Sequence, residues 1–158
     1  MGAPTDDDRV EVTRRFLLGI TQGHDANQLV DEIAELHVRN NTFPGEVLME
    51  LAADALDLAG LNRDSHIPYR QLHSTHLPEI QLRGKEQQRL QYAVLTAFAV
   101  HGGLEPDLLD EVTYWIDSYW QHALYAAVAI IRSSAEHTGT PLDTFVTDLA
   151  ASHNNRPN

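Results

Sequence analysis

The chain is predicted to be all-α, a single-domain bundle of roughly six or seven helices around one central hydrophobic helix. Three observations predict this. Apolar residues recur at helical spacing in segment after segment, and capping and stop residues punctuate those segments at short intervals. Alternating or β-branched runs of the kind that build strands are nearly missing outside Ile80 to Leu82.

The first helix is expected to follow Thr5, whose hydroxyl can cap a free backbone N–H, with Asp6, Asp7 and Asp8 placing negative charge on the positive end of the helix dipole. Val10, Phe16, Leu17 and Ile20 make its apolar stripe as far as about Gln22, and Gly23 supplies the left-handed residue that closes it. Asp25 with Gln28 reads as a capping box for a second helix through Leu29, Val30, Ile33, Leu36 and His37, ended by Asn40 and Asn41. Pro44 suits the first turn of a third helix, where a missing N–H removes no helical bond. Val47, Leu48, Leu51, Ala52, Ala55, Leu56 and Ala59 then keep the period up to Gly60.

At about 61–83 the period lapses, and a long irregular loop is expected there. It carries Pro68, Pro78, His66, Tyr69, His73 and His76, and a single helical turn after Pro68 would suit it. Loops of this length in compact domains are usually functional. Periodicity resumes from Lys85 to His101, where Leu90, Val94, Ala97, Phe98 and His101 share a face before Gly102 and Gly103 stop the helix. Pro106 is expected to start another, with a break near Ile116 to Ser118 where Asp117 or Ser118 with Gln121 can cap a new helix.

The stretch from Tyr119 to Glu136 is apolar on nearly every side through Ala123, Leu124, Ala126, Ala127, Val128, Ile130 and Ile131, the pattern of a helix surrounded by others. Gly139 is expected to close it. Thr140, Pro141 and Asp143 then supply an N-cap, a first-turn proline and a capping-box acid for a last helix whose inner face is Leu142, Phe145, Val146 and Leu149. Residues 1–151 are expected to form the domain, with 152–158 a disordered tail lacking any apolar residue.

Composition narrows the function. Without cysteine, disulfides, thiolate zinc and a cysteine nucleophile are excluded. The apolar run from Ala123 to Ile131 is far shorter than the roughly 20 residues that span a bilayer. A formal charge of −12 repels phosphate backbones and anionic lipid, so neither nucleic acid nor membrane is expected as a partner. Met1 to Asp8 has neither the basic nor the apolar region of a secretory signal, and the expected location is cytoplasmic. Nine histidines add a pH dependence: protonating them below about pH 6.5 would remove nine of the twelve excess negative charges and lower solubility.

The sharpest local pattern is His73-Ser-Thr-His76-Leu-Pro-Glu79 with His66 upstream. Two imidazoles three residues apart plus a carboxylate are suitable ligands for zinc or another divalent metal, and His101 or His122 could complete the set. Against this, no His-Glu-x-x-His is present, Pro78 interrupts any helix through Glu79, and no Glu is followed by His three residues on, as a di-metal bundle needs. No nucleophile-elbow, P-loop or dinucleotide motif occurs either. The expectation is therefore a non-catalytic helical interaction or regulatory module that self-associates as a homodimer, or otherwise binds a protein partner, with no cofactor. Its binding residues are expected in the loop, at Tyr69 and Arg70, and in the aromatic cluster of Trp115, Tyr119 and Trp120, since such aromatics dominate interface hot spots. The alternatives are a metal protein or metal-dependent enzyme using His66, His73, His76 and Glu79, and a bundle holding a small molecule between its halves.

Overall fold

The computed structural model describes residues 6–40, 44–61, 75–102 and 119–154, and among these all regular structure is helical. Six helices follow in order: α1 (Asp6–Thr21), α2 (Ala26–Asn40), α3 (Pro44–Ala59), α4 (Lys85–Gly102), α5 (Trp120–Thr138) and α6 (Leu142–Asn154). None of them is long and apolar enough to cross a membrane. The helix expected from Pro106 and the turn expected after Pro68 lie outside the described residues.

Local chemistry sets most of the boundaries. The capping box at the start of α2 is closed on both sides: Gln28 N–H donates to Asp25 Oδ1 at 2.9 Å and Asp25 N–H donates to Gln28 Oε1 at 3.0 Å. Pro44 opens α3. At the other end of α5, Gly139 has φ 70°, and the N–H groups of Gly139 and Thr140 return to the carbonyls of Glu136 and Ala135. That backbone turn costs glycine nothing and most other residues a clash.

Three boundaries differ from expectation. The N-cap of α5 is Tyr119, and its side chain makes no capping hydrogen bond. Thr140 does not cap α6; its Oγ1 accepts from Thr138 Oγ1 at 2.8 Å, and Asp143 Oδ1 takes the adjacent Thr144 N–H at 2.9 Å instead of reaching back. The last helix also runs to Asn154, so Ser152 to Asn154 are helical rather than a disordered tail.

The core is one contiguous apolar cluster fed by all six helices. Its axis is α5, which packs on α2, α3, α4 and α6. Residues Ala126 to Ile131 are all fully buried, as expected of a helix enclosed by others. Alanines on both sides of the main contact, between α3 and α5, allow the backbones to come close. Among the described residues, Phe16 of α1 and Phe145 of α6 are the largest side chains fully removed from water. Each such residue contributes about 1.5–3 kcal/mol relative to exposure.

The inner stripe of α1 departs from the sequence reading. Val12, Thr13, Phe16, Leu17 and Ile20 are buried, whereas Val10 is 61% exposed. Two residues are about 200° of helical rotation, so Val10 stands nearly opposite Val12. Gly19 lies where α1 approaches α2: a Cβ there would overlap Leu29 Cδ2 and press on Glu32 Oε2 at 3.3 Å and His24 Nδ1 at 3.4 Å. His24 Nδ1 and Glu32 Oε1 are 2.9 Å apart but too poorly aligned to form a hydrogen bond.

Candidate functional site

The second part of the 61–83 connection is tied down by apolar side chains. Leu77, Ile80 and Leu82 are buried in the common core, and a turn closed by Ile80 N–H on Leu77 C=O at 3.1 Å sets their spacing. That anchoring brings His76 and Glu79 against α5. There Arg132 Nη1 donates to the His76 carbonyl at 2.6 Å and to Glu79 Oε1 at 2.9 Å. The same Glu79 oxygen accepts the N–H of Ala26, the first residue of α2, at 3.3 Å. Asn27 Nδ2 reaches the Glu79 carbonyl at 3.5 Å, the limit of a hydrogen bond. One carboxylate therefore joins a loop, the start of one helix and the middle of another.

The electrostatics follow from this geometry. Burial alone would raise the Glu79 pKa, but its own backbone N–H, the Arg132 guanidinium and the Ala26 N–H outweigh burial and hold the carboxyl below the usual carboxylate range. It is ionised at neutral pH. Burial pushes the His76 imidazole down, and Arg132 adds to this while Glu136 opposes it. His76 Nε2 lies 3.6 Å from Glu136 Oε2, beyond a hydrogen bond, and Glu136 is 71% exposed. Water screens that contact, so the downward shift prevails and His76 is neutral at pH 7.

A second constellation surrounds the first turn of α5. His122 stands edge-on to Tyr119 and Tyr125, with ring centroids 6.4 and 5.8 Å away. The Arg89 guanidinium of α4 lies over the Tyr119 ring, 4.2 Å from its centroid, a cation–π contact. His122 is 8% exposed, and neither of its ring nitrogens has a hydrogen-bond partner. Burial lowers its pKa; Arg89 lowers it further and Glu86 acts in the opposite sense. Burial raises the Tyr125 pKa, with Glu86 and Asp31 adding to it.

Of the residues singled out from sequence, His76 and Glu79 come together at Arg132, while Tyr119 and Trp120 start α5. Tyr119 is half-buried under Arg89, and Trp120, 7% exposed, is part of the core. His66, Tyr69, Arg70, His73 and Trp115 lie outside the described residues, as does the His101 side chain. His122 does not join His76: Arg132, which meets the His76 carbonyl, is ten residues further along α5, about 15 Å of helix rise. Among the described residues no three His, Asp or Glu side chains converge as metal ligands. A cation at Glu79 Oε1 would have to compete with Arg132 for that oxygen.

Sequence reading missed Arg132 and Arg89. Arg132 carried a signal, because a cation ending a nine-residue apolar run on a central helix must find a carboxylate. Arg89 carried none. The fold and these two constellations define an all-α bundle whose polar interior ties elements together. Compared with known protein families, curated proteins and solved structures, the chain matches none of them, and nothing is carried over to it from a relative.

Proposed function

We propose that the chain is a non-catalytic helical interaction module that self-associates as a homodimer through the outer face of α4. One observation supports this reading above the others. Tyr92 and Leu95, one turn apart on α4, are 42% and 60% exposed; Gln88 and Gln91, exposed and uncharged, stand one turn before them, and Lys85 is the exposed residue next along the same face. In a chain of formal charge −12, a second copy is repelled from most of the surface, and it approaches with least repulsion at a stripe such as Lys85, Gln88, Gln91, Tyr92 and Leu95, which carries no carboxylate. Protein interfaces have the same signature, with aromatic residues enriched and charge depleted at the centre of the patch. Two-fold pairing of one α4 with another makes the contact self-complementary.

The test is mass measurement by light scattering after size exclusion, over a range of protein concentrations. Wild type is expected at twice the 17.7 kDa chain mass, and Leu95→Glu and Tyr92→Glu at the monomer mass with unchanged helical circular dichroism. Val10→Glu, at an exposed apolar position on α1, is expected to leave the dimer intact. A wild-type protein that stays monomeric at the highest concentrations, or a dimer indifferent to Leu95→Glu, would end the proposal.

A further inference from the structure

We propose that His122 is an acid-sensitive latch: while its imidazole is neutral, α4 and α5 stay packed about Tyr119 and Tyr125, and protonation of that imidazole loosens them. The case is geometric. A nine-tenths-buried imidazole whose two nitrogens lack hydrogen-bond partners has, among the described residues, no acceptor in place to receive a second N–H, and a buried donor left unpaired is costly. Its position adds to this, since the first turn of a 19-residue helix is the positive end of the dipole and disfavours a cation.

The neighbours point the same way. Among the described residues, the charged groups acting on His122 are Arg89 and Glu86, both of α4, while Asp31 of α2 acts on the adjacent Tyr125. Glu86 alone would welcome an imidazolium, and it is exposed to water, which weakens the attraction. The tyrosine rings could in principle hold a cation, but Arg89 already occupies a face of Tyr119. The downward pKa shift of His122 agrees.

The sign of the pH dependence comes from linkage. The unfolded or opened chain takes up its proton near pH 6.5, before the packed state does. The contribution of neutral His122 is therefore whole above about pH 6.5 and is lost as pH falls from there toward the packed-state value.

Two measurements test this. In wild-type protein, the His122 ring resonances followed by NMR are expected to titrate below the roughly 6.5 of an unstructured histidine. In thermal unfolding between pH 7.5 and 5, the wild-type melting temperature is expected to fall by roughly 2–4 °C more than that of His122→Phe, which keeps a flat ring and has no titrating group. A ring that titrates at or above the unstructured value overturns the latch, and so does a parallel acid loss in the two proteins. If His122→Phe does not fold, the wild-type titration alone decides.

Discussion

Replacing Arg132 with methionine keeps much of the apolar stem that crosses the surface of α5 and removes only the guanidinium. Two hydrogen bonds are lost, to Glu79 Oε1 and to the His76 carbonyl, and Glu79 is left as a mostly buried carboxylate with the Ala26 N–H. Arg132 and Glu79 are 25% and 19% exposed, between the exposed pairs that contribute at most about 1 kcal/mol and the buried ones whose rupture costs about 3–5. The expected loss is therefore about 2–3 kcal/mol, which lowers the melting temperature by roughly 4–12 °C in a domain of this size. Circular dichroism at the helical minimum, in thermal and urea unfolding, reads it. Glu79→Gln in the same background is the control, because it removes the orphaned charge. The double variant is expected to be more stable than the sum of the singles predicts by at least about 1 kcal/mol. Strict additivity, or an Arg132→Met protein within about 0.5 kcal/mol of wild type, would refute the clamp.

Acid unfolding offers a second check on Glu79. Its pKa is held low in the folded state, so its contribution is complete above the unfolded value of about 4.3 and disappears as pH falls through the lower folded value. In Arg132→Met the acid transition is expected at higher pH. Gly19→Ala is expected to destabilise by about 1–3 kcal/mol in urea, through overlap with Leu29, whereas a helical glycine with room to spare would gain up to about 1 kcal/mol on the same change. The measured sign decides. Ser134 is fully buried on α5 with its Oγ unpartnered, so Ser134→Ala is expected to leave the melting temperature unchanged or raise it by a few degrees. A loss above about 1 kcal/mol would reveal a partner for that hydroxyl.

The parts of this fold legible in the sequence are those decided by near neighbours. Asp25 and Gln28 are three residues apart and cap each other; Pro44 and Gly139 act through their own backbone angles. The enclosure of α5 was legible too, because a helix apolar on every side has no face to offer water. Val10 misled because an apolar identity says nothing about angle until the whole stripe is known. The tie between Glu79 and Arg132 spans 53 residues of sequence, and only the packing of Leu77 and Ile80 brings them together. Nor can a residue type reveal that a histidine is unpaired. That property belongs to what surrounds His122, and its neighbours Arg89, Tyr119 and Tyr125 come from two helices and the residue that caps one of them.

Because α5 touches four other helices, no single neighbour can swing away without wetting part of it. Its amide protons should then be the last in the chain to exchange with deuterium, released only when the whole molecule opens, while the outer ends of α1 and α6 exchange early through fraying. Such a molecule melts as a unit.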